Sequence, residues 1–349
     1  MSGAQGSSPQ FLRKVSAILV GGTQTYNFDE SFKFTFEVTQ RQSAASYNTC
    51  RVRLMNLSDE TVNTLLSAHQ ANTPTATILP GPVPAPAGQL GPEYTKLILQ
   101  AGYQPPGNFG TIFQGTIVQF SHGRENNVNT YLDVYAQDGD LANFAVVNQT
   151  LAGPVDQQQQ INAIVKTLTA QGFNYNPTTG VNPNAQFGGV TLPRGKVLFG
   201  SAFSALQVLG NNNQSTWTIQ NGQLKQIPLA GYLPGDIVVI NSQTGLIGTP
   251  ETTQQGISLT CLLNPKILIG QRIKLNNNEI NTTIVANAFA RQPSEGLNFF
   301  ASVSADGTYR VCVVEHSGDT RGNEYYTKLV VLAVDPSAPP ATSVQVGNQ

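Results

Sequence analysis

A chain of 349 residues with 19 basic and 20 acidic side chains has a net charge of −1, and only 11% of its residues are charged, against roughly 25% in an ordinary soluble domain. That balance excludes a broad electropositive face of the kind that neutralises phosphates, and with it sequence-independent nucleic-acid binding. The length exceeds one ordinary domain, so two or three are expected.

Charge depletion has two readings. A secreted β-rich protein carries it, and so does an assembly subunit whose surface is consumed by neighbours, because a charge desolvated at an interface needs a partner. The second is favoured, since charge depletion marks interface cores. Cys50, Cys261 and Cys312 form an odd set without CxxC spacing and are read as small buried hydrophobes rather than a disulfide framework. The apolar run Val15 to Val20 is too short for a signal peptide, and no run of about 20 apolar residues suits a membrane helix. No membrane insertion is expected.

In chain order, alternation comes first. Phe32, Phe34, Phe36 and Val38 share one face while Lys33, Thr35, Glu37 and Thr39 share the other, the period of a half-buried strand. Cys50 to Leu54 repeats it. Ser58 then caps a short helix with acids in its first turn and Leu57 placed to staple against Val62. From Thr73 to Pro92 six prolines remove backbone donors, so a loop or interacting arm is expected at 73–92. Strands resume at Leu97 to Ala101, at Thr111 to Phe120 with a bulge or bend at Gly115, and at Tyr131 to Ala136. These make a first β-barrel domain over 1–150.

A small α+β domain follows over 151–230. Asp156 caps a helix whose inward stripe is Ile161, Ile164, Val165 and Leu168, with Gly172 in the C-terminal left-handed position. A second helix is expected from Ser201 to Leu209, ended by Gly210. Asn221-Gly222 between two alternating segments signals a hairpin. Strands at Ile237 to Ile240, Ile257 to Leu263, Ile267 to Leu275, Thr282 to Phe289, Tyr309 to Glu315 and Tyr325 to Val334 make a second β-barrel domain over 231–335, and 336–349 is a flexible tail. The fold class is therefore mainly β with an α+β insert.

A weak internal repeat links the two β domains. Gly110-Thr111, then Val118 to His122, Arg124 and Tyr131 to Ala136, parallels Gly307-Thr308, then Val313 to His316, Arg321 and Tyr325 to Ala333. Thr49-Cys50 is set against Thr260-Cys261. The repeat predicts two tandem, related barrels.

Motifs for chemistry are few. His69, His122 and His316 are far apart with no ligand spacing, so no zinc site is expected, and His122 and His316 read as turn residues. Gly189 to Lys196 resembles a phosphate loop, but Val197 stands where Ser or Thr must meet Mg²⁺. Asp138-Gly139-Asp140 lacks the further oxygen ligands of a calcium loop and reads as a turn. Glu125, Asp133 and Asp319 are the acids that a sugar hydrolase would need to bring together, and Trp217 is better explained as core than as a carbohydrate platform. No catalytic residue, cofactor or metal ligand is assigned.

Three sets of segments carry a resemblance. They are Gly110 to Ile117 with Gly123 to Asn127 and Thr130 to Ala136; Gly245 to Pro250 with Leu263 to Lys266 and Ile269-Gly270; and His316 to Asn323. In these the chain resembles the hub proteins of contractile-tail phage baseplates, related to late-control and spike-head proteins of injection machines. The resemblance implies a non-enzymatic virion subunit of the tail baseplate, assembled in the host cytoplasm. It implies a homotrimer joining a sixfold tail tube protein to a threefold central spike protein, with baseplate wedge or tape-measure proteins beside it and DNA passing through its lumen without specific binding. Two tandem barrels per chain give the six quasi-equivalent units such a symmetry adaptation needs. Arg124, Glu125, Lys266, Arg272, Lys274, Asp319 and Arg321 are the candidate assembly contacts. A tail-associated polysaccharide or cell-wall hydrolase and a carbohydrate-binding adhesin module are the alternatives.

Overall fold

The computed structural model describes residues 12–21, 24–42, 47–72, 96–176, 191–212, 215–229, 231–253, 255–280 and 307–333. The chain begins with β1 (Arg13–Gly21), β2 (Gln24–Asp29), β3 (Phe34–Arg41) and β4 (Asn48–Met55), followed by α1 (Asp59–Asn72) and then β5 (Lys96–Tyr103), β6 (Phe109–Arg124) and β7 (Thr130–Asp138). The insert contains α2 (Asp140–Phe144), β8 (Val146–Leu151), α3 (Gln157–Ala170), β9 (Asn174–Tyr175), β10 (Lys196–Ser201), α4 (Ala202–Asn212), β11 (Ser215–Gln220) and β12 (Gln223–Pro228). The chain returns to strands with β13 (Val238–Ile240), β14 (Leu246–Thr253), β15 (Gly256–Leu262), β16 (Arg272–Leu275), β17 (Thr308–Asp319) and β18 (Tyr325–Ala333).

Period-2 alternation explains the first core. Val15, Ala17 and Leu19 of β1, Phe34, Phe36 and Val38 of β3, Cys50, Val52 and Leu54 of β4 and Leu132, Val134 and Ala136 of β7 all point into one apolar cluster, as the pleat requires. Val62 and Leu65 of α1 close it. The Ser58 cap is present, with the Thr61 N–H donating to its hydroxyl at 3.2 Å. A second strand-built cluster gathers Ile257, Leu259 and Cys261 of β15, Tyr309, Val311 and Val314 of β17, and Leu329 and Val331 of β18.

The two clusters share one sheet of 13 strands, whose main path runs β14-β15-β18-β17-β3-β4-β7-β6-β5-β1-β2, with β16 joined to β17 and β13 to β16. No ladder among the described residues joins β2 back to β14 to close a barrel. Within it the two halves pair in the same order. In the first, β3-β4-β7-β6-β5-β1 are neighbours; in the second, β14-β15-β18-β17-β16-β13 are, and both sets follow chain order identically. The halves differ at one end, where β1 pairs β5 antiparallel but β13 pairs β16 parallel.

The insert has its own core around Ile161, Ile164, Leu168, Leu206 and the fully buried Trp217. Asp156 forms a reciprocal capping box with Gln159, and Gly172 takes the left-handed conformation just past the helix, as its sequence predicts. Asn221 (φ 53°) and Gly222 (φ 72°) both adopt positive φ, so the hairpin forms as expected.

Several local expectations are corrected. Gly210 does not end its helix: α4 continues to Asn212, and Gly210 is needed because a Cβ there would meet the Ser215 carbonyl and the Trp217 ring at 2.9 Å. Gly115 marks no bulge; a side chain there would collide with the Gln137 carbonyl of β7. The β6–β7 bulge falls instead between Ile117 and Gln119. Ile267 and Ile269 belong to no ladder, since β16 begins at Arg272; both are buried in a loop that caps the second core. His122 and His316 are strand residues, not turn residues. The proline-rich stretch 73–92, the strand expected at Thr282 to Phe289 and the tail 336–349 lie outside the described residues.

Candidate assembly interface

The surfaces available for assembly are set by how the halves are joined. Strand β17 lies antiparallel to β3, with Glu315 opposite Thr39, His316 opposite Val38 and Gly318 opposite Phe36. The close pairing requires glycine at 318, where a Cβ would run into the Phe36 and Tyr325 rings. The β17–β18 turn is strapped over the first half. Arg13 donates to the Gly322 and Asn323 carbonyls at 2.7 and 3.0 Å, Arg321 donates to the Ser31 carbonyl at 2.7 Å, and the Thr320 hydroxyl donates to the Phe32 carbonyl at 2.8 Å.

Tyr325 pins this seam from beneath. Its ring packs edge-on against Phe36 and Tyr103, at 6.0 and 5.6 Å between centroids. Its hydroxyl accepts from the Gly102 N–H at 2.9 Å and faces the Lys14 carbonyl at 2.8 Å. Burial pushes this phenol well above the ordinary tyrosine range.

The outward face of the first half carries a charged cluster. Asp133 of β7, 2% exposed, accepts from Arg51 at 2.9 Å and from Arg53 at 2.7 and 2.9 Å. Arg53 also lies 3.6 Å from Glu125 and over the Tyr131 ring. Burial raises the Asp133 pKa, but hydrogen bonds from Arg53 and then Arg51 outweigh it and hold the carboxyl below the usual range. A carboxyl so held is a poor general acid.

The sequence-selected residues do not converge. Arg124 and Glu125 sit exposed at the end of β6; Lys266 is exposed in the loop before β16. Arg272 stacks on Tyr232 at 4.0 Å, and Lys274 points outward from the same strand. Asp319 accepts from the Arg321 N–H at 2.7 Å, and Arg321 is used within the chain. Sequence reasoning missed Arg310, which is 5% exposed and donates to the carbonyls of Pro228, Leu229 and Gly231 at 2.7–2.8 Å, fixing the exit from the insert. No local signal marks it, since its acceptors lie about 80 residues away.

The insert is docked by its hairpin tip. The Asn48 amide donates to the Ile219 carbonyl at 2.7 Å, the Gln114 N–H to the Asn221 side-chain oxygen at 3.1 Å, and the Gly222 N–H to the Asp138 carboxyl at 3.2 Å. Burial raises the Asp138 pKa to about 7, against the opposing hydrogen bonds of Gly222 and Asn221; Asp140 and Lys225 are the charged groups beside it. A carboxyl whose folded pKa is raised gives stability present below the unfolded value of 3.8 and lost as pH rises toward 7. Urea midpoints should therefore fall between pH 4 and 7, by at most about 1.4 kcal/mol per pH unit from this group. Asp138→Asn should flatten that fall, leaving the smaller contribution of Asp140, which is raised by burial in the same sense; an unchanged slope would contradict the assignment.

Among the described residues no cluster of His, Cys, Asp or Glu could hold a metal ion, and no helix is long and apolar enough to cross a membrane. His316 is buried, its Nδ1 2.9 Å from the Thr327 hydroxyl, and burial lowers its pKa to about 3. It is a neutral core group. Trp217 is fully buried and offers no sugar platform.

Solved structures share features of this fold. The 43 kDa tail protein of prophage MuSo2 from Shewanella oneidensis is similar with a TM-score of 0.50 at 8% identity, covering 92% of this chain and 98% of that one. A tail protein from Neisseria meningitidis scores 0.49 at 10% identity, over 92% of this chain and 96% of that one. A type VI secretion component from E. coli, described as similar to T4 tail proteins gp27 and gp5, scores 0.45 at 10% identity, over 96% and 76%. No curated protein matches the sequence. The sequence profile of the baseplate hub gp41 family matches residues 14–290, most of the chain. The protein belongs to that family, a structural component of the virion tail baseplate.

Proposed function

We propose that this chain joins the tail tube to the central spike as a homotrimer, each copy contributing two related β units so that six surround a channel for DNA. The observation that carries the reading is the repeated ladder order of the two halves within one sheet. The bulges support duplication too: the break between Ile117 and Gln119 in β6 and that between Val311 and Val313 in β17 fall on matching strands, and overlaying them sets His122 on His316. The cysteines do not follow. With Ala136 set on Val331, the ladders place Cys50 on Ile257, and Cys261 falls on Leu54. In this reading the division is 1–150, 151–230 and 231–335, with each β unit a rolled sheet of the tandem-barrel kind.

A threefold assembly of duplicated units meets a sixfold tube on one face and a threefold spike on the other. Its near-neutral charge leaves DNA free to pass, because trapping phosphates requires a basic wall. Exposed Arg124, Glu125, Lys266 and Lys274, with half-buried Arg272 beside them, are the contacts to tube, spike, wedge or tape-measure proteins, with Asp319 and Arg321 shaping the turn they flank. Imaging intact particles with this chain labelled tests the placement. The label is expected on the axis where the tube ends; a label on the baseplate periphery would overturn it.

A further inference from the structure

The seam inside the chain is a template for a contact outside it. Strand β17 uses one edge twice, pairing β16 through Thr308–Arg310 and β3 through Val313–Asp319. Its counterpart β6 pairs β5 through Phe109–Thr116 on the corresponding edge, and from Ile117 to Arg124 no described strand follows there. The counterpart of β3 is β14, and among the described residues β14 ends the sheet. Each half thus supplies one member of the seam that the other half lacks.

Burial agrees. His316, in the seam, is 2% exposed, whereas His122, at the matching rung of β6, is exposed. On β14, at the rungs in question, Glu251 is exposed and Thr253 half-buried, while Thr252 is 8% exposed within its own chain. An edge of eight residues with no strand beside it among the described residues is a liability that native proteins cover or blunt, and adding a strand from another chain satisfies it through main-chain hydrogen bonds. A single chain cannot pair its own β6 with its own β14 by the same geometry, because six strands separate them along the sheet. A heterologous contact between copies does so and closes into a ring when the rotation allows.

We infer that the open edge of β6 pairs antiparallel with β14 of a second copy, Ser121 opposite Thr253, His122 opposite Thr252 and Gly123 opposite Glu251. The register is that of Glu315 with Thr39, His316 with Val38 and Ser317 with Glu37, carried over through the ladders of β15 on β18 and β4 on β7. Pro250 lacks a donor and ends the regular ladder beyond Glu251. The inference rests on the trimeric reading, and names the strands that make the trimer.

Cysteine pairs read the register. The double variant Ser121→Cys, Thr253→Cys, oxidised in tail-assembled protein, is expected to give covalent dimers and a ring-closed covalent trimer on non-reducing gels. The single variants and the out-of-register pair Ser121→Cys, Ile247→Cys should give none. Particles whose mass shows three copies without in-register cross-linking, or with cross-linking only out of register, would overturn the strand assignment while leaving the trimer standing. A single copy per particle would overturn both.

Discussion

Replacing Tyr325 by Ala will lower the free energy of unfolding by about 3–5 kcal/mol, the range for removing a large buried aromatic. The ring is 1% exposed and packs in the first core although its strand belongs to the second half. Its loss opens a cavity and strips the Gly102 N–H of its acceptor. Tyr325→Phe keeps the ring and removes only the hydroxyl, so about 1–3 kcal/mol is expected. Urea unfolding of the three proteins separates these parts. If Tyr325→Phe costs as much as Tyr325→Ala, ring packing across the seam is not what holds the halves together.

Asp133→Ala is expected to cost about 3 kcal/mol, the lower end for breaking a buried ion pair, because Arg51 and Arg53 keep 36% and 25% of their side chains in water. The two guanidinium groups, on β4 two residues apart, then repel each other over Tyr131 and Tyr135. The same geometry sets an acid limit. A carboxyl held below its ordinary range contributes stability above the unfolded value of 3.8 that is lost as pH falls through the folded value. The wild type should lose stability below about pH 4 more steeply than Asp133→Asn, measured by urea midpoints from pH 2.5 to 5. Equal slopes would show that the arginines do not depend on this carboxylate. Asp138, five residues along the same strand, titrates with the opposite sign because burial dominates there.

Local chemistry was readable where the physical signal is local. The alternation of Phe34, Phe36 and Val38 gave β3 and its buried face, Asp156 with Gln159 gave the start of α3, and Asn221-Gly222 gave the hairpin. The same periodicity misled at Ile267 and Ile269, where apolar alternation serves a buried loop and no neighbouring strand completes a ladder. Gly210 misled for the converse reason: glycine is there for the close approach of Trp217, not to stop a helix.

What the sequence does not disclose is long-range pairing. Thr39 and Glu315 are ordinary strand residues 276 positions apart, and neither carries a mark of the other. The bulges at Val118 and Cys312 are equally silent, because a bulge follows from the neighbour's register rather than from the residue itself. The candidate contacts are charged residues spread over both β halves. Three-dimensional placement divides them, leaving Arg124 and Glu125 at an open strand end and committing Arg321 to Ser31 within the chain.

End-on averaging of tail ends by electron cryomicroscopy tests this account most directly. At the level of this subunit the density should contain three copies and show six similar lobes, a strong sixfold rotational component modulated by a weaker threefold one. Six copies at that level, or a threefold ring without sixfold modulation, would contradict it.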